Sequence, residues 1–238
     1  MSRCWAINLR WFTDVITACS NRYPNGVEPL VYSKPSGPEA LFLFDGSGSW
    51  GSGAEAAAWF REQIAGKFRN PDEISPNSVN QTLTDLIPTL PKQIAEEDWS
   101  FSLAVVIIER TAIHVGALGS ISVLALRGNS LMRLYSPVRL VDELVSSGRI
   151  TVAEAETHQF RRMISSTFFG AEGACLNWSE ASLLDDKIIL GDAALPRFLE
   201  LQAVPFNFDD VNELRDDVER YGGTSSPTGI IDVGFCNR

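Results

Sequence analysis

The spacing of apolar residues changes several times along the chain, and each change marks an element. Leu41-Phe42-Leu43-Phe44 is an unbroken apolar run closed by Asp45-Gly46, as expected of a buried strand that ends in a turn. Beyond the turn, Ala57, Phe60, Ile64 and Phe68 recur every three or four residues and form one stripe on a helix, which Asn70-Pro71 stops. A second helix is expected over roughly Ser78 to Glu96, interrupted near Pro88 and Pro91, where the ring removes an amide donor.

The centre of the chain reads as a run of strands. Leu103 to Ile108 is almost wholly apolar, the pattern of a strand covered on both faces. Ala112 to Gly116, Ile121 to Leu126 and Leu131 to Leu134 follow, with Arg127-Gly128-Asn129 as a hairpin turn. A run of adjacent short strands implies that at least part of the sheet is antiparallel. Two helices come next, over Val138 to Ser146 and Val152 to Ser165; Gly148 punctuates the first and Thr151 caps the second. Lys187 to Leu190 is a further strand. Asn207 caps a helix whose core face is Val211, Leu214, Val218 and Tyr221 and which ends at Gly222-Gly223, before a last strand over Gly229 to Phe235. With no repeat and no linker, the expectation is one domain over residues 1–238, with sheet layers covered by helices.

Composition narrows the function classes. Hydrophobic residues make up 45% and charged residues 21% of the 238 residues, so a core of good size can form. Thirty acidic and twenty basic side chains leave a net charge of −10, the wrong sign for gripping nucleic acid or an anionic membrane. The apolar N-terminus is broken by Arg3, Asn8, Arg10 and Asp14, so neither a signal peptide nor a membrane span is expected, and a cytoplasmic location is. Cys4, Cys19, Cys175 and Cys236 are scattered without a C-x-x-C pair, which suits reduced thiols better than a zinc site or a disulfide frame.

Candidate chemistry gathers at the first turn. Gly46-Ser47-Gly48-Ser49-Trp50-Gly51 spells the G-x-G-x-x-G of nucleotide-binding turns. Asp45 beside the first glycine would repel a pyrophosphate, and Asp72, at a plausible distance, falls in a Pro- and Asn-containing loop rather than at a strand end. Nucleotide binding therefore stays as a second alternative. G-x-S-x-G is absent, which argues against a hydrolase elbow. Two histidines give little basis for a His-based metal or nucleophile site; His114 on a strand suits a core or cross-strand role. Asp209, Asp210, Asp216, Asp217 and Glu219 read as a solvated helix face, and the tryptophans mostly as core.

Three stretches together resemble the metal-dependent type 2C (PPM) protein phosphatases, in their bacterial forms. These are the strand closed by Asp45-Gly46-Ser47-Gly48; the block from Ala104 to Gly170, with Leu140-Val141-Asp142-Glu143-Leu144-Val145-Ser146-Ser147-Gly148-Arg149-Ile150-Thr151 and Glu154-Ala155-Glu156-Thr157-His158; and Asp185 to Leu199. The resemblance implies an α+β fold, a four-layer sandwich of two packed, mostly antiparallel sheets flanked by helices. It also implies hydrolysis of phosphoserine and phosphothreonine by two bridged Mg²⁺ or Mn²⁺ ions.

Carried over residue by residue, the metal site is incomplete. Asp45 matches the bridging aspartate, and Gly46 matches the glycine that offers a carbonyl. The family's proton-donating histidine is Ser47 here. At the second metal aspartate stands Ala193, with Asp192 one residue early. The D-N pair before the last strand falls on Ser225 to Gly229, including Pro227 and Thr228, with no acid. The accessory aspartate of the G-D-S-R turn is Ser120. Arg22 is the nearest match to a phosphate-binding arginine. Two dications about 4 Å apart repel by about 17 kcal/mol at an effective dielectric near 20. One carboxylate does not offset that. The expectation is a pseudophosphatase with no cofactor and no hydrolysis, which regulates signalling by binding a protein: a kinase, a phosphoprotein or a true phosphatase. The first alternative is an active or weakly active Ser/Thr phosphatase with an altered Mg²⁺ or Mn²⁺ site.

Overall fold

In the computed structural model, the described residues are 5–7, 16–19, 27–32, 39–46, 53–96, 99–109, 112–127, 130–161, 163–165, 168–169, 175–182, 186–191 and 228–232. Among them the strands are β1 (Trp5–Ile7), β2 (Ile16–Cys19), β3 (Val27–Tyr32), β4 (Glu39–Asp45), β5 (Ser100–Ile108), β6 (Ala112–Leu118), β7 (Ser122–Arg127), β8 (Ser130–Tyr135), β9 (Phe168–Phe169), β10 (Asn177–Ser182), β11 (Asp186–Gly191) and β12 (Thr228–Asp232). The α-helices are α1 (Gly53–Lys67), α2 (Pro76–Leu86), α3 (Lys92–Ala95), α4 (Leu140–Ser146) and α5 (Val152–Thr157).

Two sheets form. One has the order β1-β2-β12-β11-β7-β8, the other β10-β6-β5-β4-β3 with β9 beside β5. Every described pairing is antiparallel. Period-two alternation divides β4 and β5 between two cores. Leu41, Leu43, Ala104 and Val106 face the other sheet and pack with Val123, Ala125, Ile188 and Leu190. Phe42, Phe44, Leu103 and Val105 point the opposite way, onto Phe60 and Ile64 of α1 and Val79 and Leu83 of α2. Both faces of β5 are thereby covered, which is why its sequence is apolar throughout.

The aromatic layer fixes α1 against the sheet. The Phe60 and Phe101 rings lie 5.2 Å apart, Trp99 lies 6.0 Å from Phe60, and Phe44 lies 6.1 Å from Phe101. Each such buried ring contributes about 1.5–3 kcal/mol by burial. Tyr32 of β3 adds a polar tie, its hydroxyl donating to the Ile64 carbonyl at 3.0 Å.

Most expected elements stand where the periodicity put them, and the expected interruption near Pro88 and Pro91 separates α2 from α3. The helix expected over Val152 to Ser165 is a correction: α5 ends at Thr157. His158 leaves the helix with φ −63° and ψ 142°, and the chain turns back so that Ile164 bridges Arg139. The Leu140 amide donates to Met163 O at 2.8 Å, a bond that a continuing helix would preclude. The N-terminal end is as expected, with Thr151 and Glu154 in a reciprocal cap. Strands β1, β2, β3, β9 and β10 were not anticipated. The helix expected from Asn207 lies outside the described residues.

Candidate functional site

Strand ends from both sheets meet at one place. Asp45, the last residue of β4, lies directly across from Ser102 of β5. Ser102 reaches over to the turn between β6 and β7: the Ser120 amide donates to Ser102 Oγ at 2.9 Å, and the two hydroxyl oxygens lie 2.9 Å apart. Ser122 opens β7 opposite Gly191, the last residue of β11. One residue beyond the Leu190–Gly229 pair, Thr228 begins β12. Asp45 is buried at 8% exposure and Ser102 at 5%, so the carboxylate and the hydroxyl are largely shielded from bulk water.

Glycines make these approaches possible. A side chain at Gly46 would collide with the backbone of Gly53 and Ala54, and one at Gly53 with the carbonyl of Ser100. The first turn of α1 therefore sits directly on the end of β4. Gly119 has φ +94°, and a Cβ there would run into the Ser102 hydroxyl. From below, the buried Tyr135 hydroxyl donates to the Gly119 carbonyl at 3.2 Å. Burial pushes the Tyr135 phenol up from its ordinary value, and the bond to Gly119 pulls it partly back.

The carried-over positions fall as follows. Asp45, Gly46, Ser120 and Thr228 are described, and the first three come together. Ser47, Asp192, Ala193, Pro227 and Arg22 lie outside the described residues, as does Trp50. Ser102, Gly53, Gly119 and Tyr135 were not singled out in the sequence. The available signal for Ser102 was a lone hydroxyl, flanked by Phe101 and Leu103 in an apolar strand. His114 is a cross-strand residue of β6, opposite Ile107 and Glu180, with Nε2 3.7 Å from Glu109. His158 is local structure, its Nδ1 accepting from the Phe160 amide at 3.2 Å.

No protein-family model matches the sequence, and no curated protein does either. Solved structures do match over nearly the whole chain. The serine/threonine phosphatase Stp1 of Staphylococcus aureus superposes with a TM-score of 0.71 at 15% identity, covering 99% of this chain and 96% of that one. The fold is that of the PPM serine/threonine phosphatases. The serine/threonine phosphatase of S. agalactiae gives 0.71 at 17% identity, with 97% and 98% covered. The catalytic domain of PstP, solved with two manganese ions, gives 0.61 at 18% identity, with 91% and 96% covered.

The described donors of this PPM fold do not fit such a metal pair. Among the described residues no three His, Cys, Asp or Glu side chains come together. Among the described residues, Ser102 lies across from Asp45, and its hydroxyl, bonded to that of Ser120, is neutral. Hard divalent cations need oxygen ligands with enough negative charge to offset their own. Neutral hydroxyls add coordination but none of that charge.

Proposed function

We propose that this chain is a pseudophosphatase: it keeps the PPM fold, has lost the two-metal hydrolytic chemistry, and regulates signalling by binding a protein partner. A kinase, a phosphoprotein or an active phosphatase would suit. One observation carries the reading. Where the resemblance calls for an accessory carboxylate, Ser120 pairs with Ser102 across from Asp45. A hydroxyl there leaves the charge of two cations uncompensated. The missing histidine at Ser47 supports the same reading, because a serine hydroxyl is too weak an acid to protonate a leaving group at neutral pH.

Hydrolysis of p-nitrophenyl phosphate in millimolar Mn²⁺ tests it. The expected result is a rate equal to the protein-free control. A Mn²⁺-dependent rate lost in Asp45→Ala would establish the altered-metal enzyme instead. Calorimetric titration with Mn²⁺ gives a second readout, for which no heat is expected.

A further inference from the structure

We infer that the Ser102 hydroxyl is an ion-free tie, holding the β6–β7 turn onto the β4–β5 strand pair at the place where a metal-dependent site would rely on a bound cation. A cation shared by acids on two elements joins those elements by ligation. Here the join is made by the protein itself. Ser102 Oγ accepts the Ser120 amide at 2.9 Å and meets Ser120 Oγ at 2.9 Å, so one atom engages both the backbone and the side chain of the turn. An oxygen with two lone pairs and one proton serves both contacts at once.

The surroundings are shaped for this contact. Gly119 reaches φ +94° and leaves no side chain where Ser102 Oγ sits. Tyr135 secures the same residue through its carbonyl, 3.2 Å away. Ser102 is buried, which strengthens its bonds and excludes competing water. The turn is thus held from two sides by groups of the chain itself, and its order does not depend on an ion. A fixed turn of this kind suits a surface that binds proteins through preformed shape.

Hydrogen exchange at the Ser120 amide reads the tie directly, because that amide is the donor. In the intact protein it is expected to be protected, and millimolar Mg²⁺ is expected to leave its rate unchanged. Ser102→Ala should speed its exchange by about tenfold, the loss of one ordinary hydrogen bond, while Ser102→Thr keeps an acceptor and retains most of the protection. Added Mg²⁺ should not restore Ser102→Ala. Exchange in the intact protein at the rate of an open amide would overturn the inference, and so would protection that appears or deepens with Mg²⁺. Both of those readings need no variant, so they stand even where Ser102→Ala does not fold. This deepens the reading above at the same site yet fails separately: metal-dependent hydrolysis would remove the pseudophosphatase, whereas an unprotected Ser120 amide would remove the tie alone.

Discussion

The side-chain carbonyl of Asn80 accepts from the indole nitrogen of Trp178 at 3.2 Å, and the same oxygen accepts from the Leu176 amide at 3.3 Å. Residues almost a hundred positions apart are joined by one acceptor, which docks α2 against the end of edge strand β10. Trp178 packs its ring over Gly116, where any side chain would collide with it. The indole is half-buried, so an unpaired donor there carries a real desolvation cost. Asn80→Ala should therefore lower unfolding stability by about 1–3 kcal/mol. Asn80→Asp keeps an oxygen acceptor and should lose less. Urea unfolding of the two variants checks the order, and equal losses would show that the acceptor is not what matters.

Two glycines should respond to alanine with opposite signs. Gly119 combines φ +94° with contact against Ser102, so Gly119→Ala must either strain the backbone or push Ser102 away. A loss of about 1–3 kcal/mol is expected. Gly66 lies near the end of α1 with nothing within 4 Å of an added Cβ and without a positive φ. Gly66→Ala should stabilise the protein by about 0.5–1 kcal/mol, because alanine loses less backbone freedom in a helix. Thermal unfolding of both variants reads the contrast, and a stabilising Gly119→Ala would disprove the contact with Ser102.

Periodic elements were legible because burial imposes the period. Ala57, Phe60 and Ile64 of α1 are fully buried, and the stripe they form was visible in the sequence. Strand β10 was not legible. Asn177-Trp178-Ser179-Glu180-Ala181-Ser182 is mostly polar, and what makes it a strand is distant: pairing with β6 and the seat of Trp178 on Gly116 and Asn80. The early end of α5 was hidden for a similar reason. Its local pattern continues as a helix, but Ile164 is drawn back to pair with Arg139. At the site, Asp45 announced itself at the end of an apolar run. Ser102 did not, since its role depends on a turn eighteen residues away that the sequence alone does not bring near it.

Alkaline pH should weaken the fold through Tyr32. Burial raises its phenol from 10.0 to about 12, and the nearby Arg61 charge pulls against that rise. Between those values the unfolded chain has released a proton that the folded chain still holds. Stability linked to Tyr32 is thus complete below about pH 10 and declines as pH rises toward about 12. Tyr32 is only partly buried, so solvent screening keeps its effect modest. Tyr32→Phe removes both this dependence and the bond to the Ile64 carbonyl, which costs about 1 kcal/mol at neutral pH. Urea unfolding across the alkaline range should show a shallower decline in Tyr32→Phe than in the native protein. Parallel declines would mean that this phenol titrates alike in both states.

Ser122 tests the reverse of the Ser102 tie. Its hydroxyl oxygen is fully buried and makes no hydrogen bond among the described residues, between Ile121 and Val123 and opposite Gly191. A buried hydroxyl without a partner has given up its bonds to water and gained none in return. Deleting it should cost nothing in hydrogen bonding and recover part of that loss. Ser122→Ala is accordingly expected to leave stability unchanged or raise it by about 1 kcal/mol. Ser102→Ala, which removes the acceptor of the Ser120 amide and the partner of the Ser120 hydroxyl, should lower it. A Ser122→Ala variant that loses as much as Ser102→Ala would mean that the Ser122 hydroxyl is engaged after all, and that the polar contacts at these strand ends extend past Ser120 toward β11.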